Sequence, residues 1–133
     1  AVPTAEICIH IINGLPGETR DDMLATADAV AALHPNQVKI HSLHVLRGTA
    51  LAAAYTRGDY APISLEDYVS VTAAQLTRLP PDIVIARVTG DGDRAALLAP
   101  AWSLRKREVL AALDRYLYAN GLWQGCAWHK NCI

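Results

Sequence analysis

Residues 6–19 read Glu6-Ile7-Cys8-Ile9-His10-Ile11-Ile12-Asn13-Gly14-Leu15-Pro16-Gly17-Glu18-Thr19, and this stretch decides the fold. Its first half is a β-branched run that stops at glycine, which reads as a strand. Side chains alternate across a strand, so Ile7, Ile9 and Ile11 share one face while Glu6, Cys8, His10 and Ile12 share the other. One face suits packing under helices; the opposite face carries polar and titratable groups. An ordinary buried parallel strand would be apolar on both. The second half is a tight strand-to-helix turn. Thr19 and Asp22 form a capping box, and Met23, Ala27, Val30 and Leu33 then recur at helical spacing up to the stop at His34-Pro35-Asn36.

Working outward, Gln37 to Leu46 predicts a second strand, with Val38, Ile40 and Ser42 on one face and Lys39, His41, Leu43 and Val45 on the other. Strand, turn, helix and strand fit within about 40 residues, the size of a parallel crossover. A short alanine-rich helix over Ala50 to Tyr55 breaks at Arg57-Gly58-Asp59. Ser64, with Asp67 as its box partner, opens a longer helix whose stripe is Leu65, Val69, Thr72, Leu76 and Leu79; Pro80-Pro81 ends it. Ile83 to Val88 predicts a third strand, closed by Thr89-Gly90-Asp91-Gly92. The last helix runs from near Ser103 to about Tyr118, with Leu104, Val109, Leu110, Leu113 and Leu117 inward and Asn120-Gly121 as its cap. The expectation is a small α/β unit with three parallel strands.

Composition narrows the function classes. The chain has 133 residues, 52% of them apolar, enough for one domain with one core. Its 12 Lys+Arg against 13 Asp+Glu leave a net charge of −1 and no basic block, so nonspecific nucleic-acid binding has no electrostatic footing. No apolar run approaches the roughly 20 residues that span a bilayer. Three cysteines, at 8, 126 and 132, do not make a disulfide scaffold, and the cytoplasm is the default compartment. The chain starts at Ala1-Val2-Pro3 and enters a strand almost at once, the expected look of a piece of a longer polypeptide.

Several residues are candidates for chemistry. A turn at the C-terminal end of a strand, opening a helix, is where α/β folds bind ligands. Gly14 and Gly17 supply backbone freedom there and Pro16 fixes one dihedral. A phosphate loop would need a lysine where Glu18-Thr19 stand, and Glu18, Asp21 and Asp22 already oppose an anion at the helix start. The bland alternative is a connecting turn. His10 and His41, on the less apolar faces, would share one interior with Lys39 if their strands are neighbours, as in the lumen of a barrel. A small-molecule contact suits them better than a metal, since no partner stands at ligand spacing. Asp91, between Gly90 and Gly92, would lie on the same rim as the Gly14 turn. Arg105-Lys106-Arg107 reads as a solvated helix face. Cys126, His129 and Cys132 have ligating chemistry, but three groups in a terminal segment read more simply as a frayed tail. Cys8 reads as a buried core residue, with no activating partner.

Taken in order, Ile11-Ile12-Asn13-Gly14-Leu15-Pro16-Gly17-Glu18-Thr19, Val38-Lys39-Ile40-His41-Ser42-Leu43-His44-Val45 with Arg47-Gly48-Thr49, Arg87-Val88-Thr89-Gly90-Asp91-Gly92 and Ala101-Trp102-Ser103 resemble the later barrel strands of the radical-SAM superfamily. The nearest resemblance is to YhcC-like iron–sulfur oxidoreductases, akin to the Elongator catalytic subunit. It extends to about Gln124. It implies the C-terminal part of a partial (β/α) barrel over residues 1–124, with about three mostly parallel strands and four to five helices, followed by a flexible tail at 125–133. In the family, a C-x3-C-x2-C loop holds a [4Fe–4S] cluster that reductively cleaves S-adenosylmethionine. Cys8, Cys126 and Cys132 lack that spacing. Cluster and cofactor are therefore expected in the full-length protein, with neither bound to this fragment and no catalytic or metal-ligating residue within it.

By the same resemblance, Asn13, Gly14, Gly17, Glu18, His41 and His44 would line the adenosine part of the cofactor pocket. The fragment would be inactive alone and would self-associate as a homodimer to cover its lost neighbours. The rival reading is a non-catalytic α/β binding or interaction module whose apolar sheet face docks a partner.

Overall fold

The computed structural model describes residues 5–128. Its elements run β1 (Cys8–Asn13), α1 (Arg20–Leu33), β2 (Gln37–Ser42), β3 (Val45–Leu46), α2 (Ala50–Arg57), α3 (Leu65–Arg78), β4 (Val84–Arg87), β5 (Leu97–Ala99), a 3-10 turn at Ala101–Leu104, and α4 (Lys106–Ala119). β1, β2 and β4 form one parallel sheet in the order β1-β2-β4. This is the expected mixed α/β architecture.

Burial along β1 alternates as the sequence requires: Ile11 and Asn13 are buried, while Cys8, His10 and Ile12 are exposed. Ile11, Val38 and Ile40 turn their side chains to the same layer as Val30 of α1, Val69, Ala73 and Leu76 of α3, and Leu113 of α4. α3 is the middle helix, packed between α1 and α4. That position explains why it buries Tyr68, Val71, Gln75 and Thr77 as well as Val69, Thr72 and Leu76 of its stripe. The opposite face of the sheet carries His10, Ile12, Lys39 and His41. A parallel sheet with helices on one side and an open polar side is the geometry of part of a barrel.

The second strand is shorter than expected. β1 ends at Asn13 because Gly14 turns away at φ +94°. β2 thus loses its neighbour after Ser42, with one last bond from the Leu43 N–H to the Asn13 carbonyl. Val45 and Leu46 then pair antiparallel with β5, a separate two-stranded ribbon over Tyr60 and Ala52. Two stripe residues also lie outside the core: Leu33 is 72% exposed and Leu110 44%. At about 100° per residue, Leu33 has drifted some 80° round the helix from Met23, and Leu110 stands about 100° from Val109. Both sit at the edge of a stripe that the neighbouring helix does not cover.

Candidate functional site

Parallel pairing gathers the C-terminal ends of β1, β2 and β4 at one rim. That rim holds the Gly14–Thr19 turn, Leu43-His44, and the Thr89–Gly92 turn. At Gly14 the backbone is left-handed, and a Cβ would come within 3.1 Å of Ile63. The Tyr60 hydroxyl donates to the Gly14 carbonyl at 2.7 Å, which ties the turn to the chain before α3. Gly17 is also left-handed, with open space around it. The Thr19–Asp22 box is complete: the Thr19 N–H donates to Asp22 Oδ2 at 2.9 Å and the Asp22 N–H to Thr19 Oγ1 at 3.2 Å. Those bonds hold the Asp22 carboxyl below its usual range. Glu18 moves the other way, raised first by burial and then by the Asp22 charge. Gly14, Gly17 and Glu18 line a cavity of about 640 Å³ together with Met23, Tyr60 and Ile63. Its size is that of a small-molecule site.

A second cavity, of about 270 Å³, opens on the polar face of the sheet and is lined by His10, Lys39, His41, His44, Arg87 and Asp91, among others. The rings of His10 and His41 meet edge to face with centroids 6.0 Å apart. Burial lowers the basicity of His41, and the nearby His10, His44 and Arg87 add to the effect. Burial also lowers that of His44, assisted by Lys106. His44 Nε2 is buried and makes no hydrogen bond among the described residues. The glycines of the third turn explain how that ring fits: a Cβ at Gly90 would stand 2.9 Å from it, and one at Gly92 would collide with it. Asp91 accepts from Arg87 at 2.7 Å and from Lys106. Lys106 first, then Arg87, keeps its carboxyl below the ordinary range. Lys106 thus holds a residue of this cavity from outside it, rather than being only part of a solvated helix face.

The expected site residues therefore fall into two groups on one rim. Gly14, Gly17 and Glu18 line the first cavity, His41 and His44 the second, with His10 and Lys39 joining them as the strand faces predict. Asn13 faces neither. Its amide is fully buried and exchanges hydrogen bonds with Gln75, so it positions the turn that follows it. Cys8 is exposed, a correction to its expected place in the core: it lies on the same face as His10. Of the segment 125–133 expected as a tail, residues 125–128 are described. The Gly125 and Ala127 N–H groups donate to the Leu76 and Thr77 carbonyls of α3 at 3.0 and 2.8 Å. His129 and Cys132 lie outside the described residues, and among the described residues no group of three His, Cys, Asp or Glu is placed to hold a metal. No helix among them is long and apolar enough to cross a membrane. Gln75, Tyr60 and Arg87 were not expected at the site. The signal available for the first is a polar side chain next to Leu76 of the α3 stripe.

Known proteins match this chain in sequence and in fold. Residues 35–119 match the model of the Radical_SAM C-terminal domain. YtqA of Bacillus subtilis is 44% identical over 119 residues, covering 90% of this chain and 37% of that protein. YhcC of Escherichia coli is 34% identical over 122 residues, covering 92% of this chain and 39% of its own. The chain thus spans less than two-fifths of the length of these relatives. Among solved structures, an archaeal Elp3 from Methanocaldococcus infernus with an N-terminal deletion superposes at a TM-score of 0.72 and 19% identity, over 96% of this chain and 32% of that one. The domain model covers more than half of the chain, and that match shows the family: the chain belongs to the radical-SAM superfamily, as a YhcC-like C-terminal portion.

Proposed function

We propose that this chain is the C-terminal portion of a radical-SAM [4Fe–4S] oxidoreductase, that it contributes part of the S-adenosylmethionine pocket, and that it is inactive alone. The observation that carries this is the shared rim: three parallel strands deliver a glycine turn, two neutral-leaning histidines and a second glycine turn to one end of a sheet whose polar face is open. Gly14 and Gly17 let backbone approach a neutral ring or ribose, and Glu18 lines the same cavity. His41 and His44, leaning neutral, line the second cavity without adding charge. Asn13 acts as a positioning residue through Gln75.

The cluster, when bound, supplies the electron for reductive cleavage of the cofactor. The described residues of this chain do not fit it, since they include no metal-ligand group and Cys8 stands on the exposed face. We assign its ligands to the family's C-x3-C-x2-C loop in the full-length protein, and the cytoplasm is the compartment that keeps such thiols reduced. The open β1 and β4 edges are where the chain by itself would pair as a homodimer.

The test is direct. The polypeptide that carries this chain behind its upstream sequence is read for C-x3-C-x2-C, loaded anaerobically with iron and sulfide, and assayed for 5′-deoxyadenosine. Formation by the longer polypeptide and none by this chain is expected. An upstream sequence without the three cysteines, or product from this chain alone, overturns the proposal.

A further inference from the structure

The register of the sheet places three basic residues side by side. Lys39 on β2 is paired with His10 on β1 and with Arg87 on β4. Neighbouring strands stand about 4.8 Å apart, so the row is only about 10 Å wide. All three side chains line the same cavity.

Arg87 reaches that face through an irregularity. Val38 pairs with Ile85, but Lys39 pairs with Arg87, so Ala86 is an extra residue in β4. Ile85 packs against the helical core. In a regular strand Arg87, two residues on, would point the same way. The bulge turns it instead to the polar face, a known use of such insertions beside functional sites.

Like charges in adjacent register repel, and a sheet holds them at a cost unless an anion lies between. Asp91 is the sole carboxylate among the cavity-lining residues, and it is already shared by Arg87 and Lys106. The Lys39 ammonium has no partner among the described residues. The cavity therefore keeps excess positive charge, from Lys39 together with those donors of Arg87 that Asp91 does not take.

We propose that the row His10–Lys39–Arg87 binds an oxyanion, a carboxylate or a phosphate, carried by the ligand that enters the open face. The anion site stands on the row itself; its assignment to the reaction rests on the function proposed above.

Inorganic phosphate, titrated into the chain at constant ionic strength, is the probe, followed by calorimetry and by the Cε1–H signals of the histidines. Saturable binding that shifts His10 and His41 is expected. Lys39→Gln weakens it by about tenfold, the size of one charge-assisted contact, and Lys39→Arg restores it. Arg87→Gln weakens it similarly, while Arg115→Gln, exposed on α4 and outside the cavity, leaves it unchanged. A non-saturating response, or equal effects of Lys39→Gln and Arg115→Gln, overturns the proposal. In the longer polypeptide, S-adenosylhomocysteine then separates two sources. Displacement of phosphate assigns the row to the cofactor's carboxylate, and simultaneous binding assigns it to the substrate. Phosphate binding without S-adenosylhomocysteine binding sinks the pocket reading alone; the reverse sinks the anion row alone.

Discussion

The side-chain amides of Asn13 and Gln75 exchange two hydrogen bonds, 2.8 and 2.9 Å long, between residues 62 apart in the chain. Both side chains are fully buried, and Gln75 Nε2 also donates to the Met23 carbonyl at 2.9 Å. The pair thus locks the end of β1 to α3 and, through Met23, to α1, immediately before Gly14 leaves the sheet. Gln75→Leu would strand the Asn13 amide without a partner, at a cost of about 1–3 kcal/mol. Asn13→Leu combined with Gln75→Leu is expected to lose less than the sum of the single variants, because neither amide is then orphaned. Urea midpoints at unchanged m-value measure this. Strict additivity would show that the two amides do not act as a unit.

Much of this arrangement was legible in the residues. The alternation of Ile9-His10-Ile11-Ile12 fixed which face of β1 meets the helices, and the matching phase of Lys39 and His41 put both histidines and the lysine in one cavity. Thr19 and Asp22 announced the helix start by local chemistry alone. What was not legible depends on contacts distant in sequence. Nothing near Val45 signals that it will pair with Ala99, since Leu97-Leu98-Ala99 has no alternation to read. A bulge at Ala86 leaves no mark when the strand is only four residues long, so the face of Arg87 is invisible until Lys39 is placed beside it. The Gly14 turn and His41 line different cavities, and the partners that the turn meets, Tyr60 and Ile63, lie more than 40 residues away in sequence. That is a tertiary fact with no local signature.

Thr19→Ala is expected to lower stability by about 1 kcal/mol, the usual effect of removing a side-chain N-cap. The Asp22 N–H loses its acceptor while the Asp22 carboxylate keeps its bond to the residue 19 backbone. Thr19→Ser should retain most of the stability, since its hydroxyl accepts the same bond. Thermal unfolding of the two variants decides it: equal losses would mean that the methyl group, not the cap, matters.

Gly90→Ala tests whether the third turn positions His44. Its backbone is not left-handed, so the substitution carries no backbone penalty, but the new Cβ would meet the His44 ring at 2.9 Å. The ring must move, at a cost of about 1–3 kcal/mol in a packed site. The expected signature is a shifted His44 imidazole resonance with the His34 signal unchanged, because His34 is bound elsewhere, to Asp82. A His44 signal identical to that of the parent would show that the turn does not set the ring.

Acidification should weaken the fold through the second cavity. His41 and His44 are both held below the ordinary 6.5, chiefly by burial, so the unfolded chain binds their protons at a higher pH than the folded one does. Between the depressed values and 6.5 the unfolded state carries more protons, and stability rises with pH across that window. It falls as pH drops through the same window, and the loss is complete once both folded-state values are passed. Asp22 and Asp91, lowered from 3.8, lose their contribution only at more acid pH. Glu18, raised from 4.5, works in the opposite sense, losing its contribution as pH rises through its shifted value. Urea midpoints taken from about pH 7.5 down to about pH 5.5, where histidine titrates, should therefore decline. In the double variant His41→Gln with His44→Gln that decline should be clearly shallower. An identical slope in parent and variant would mean that these two imidazoles are not the groups whose burial opposes protonation.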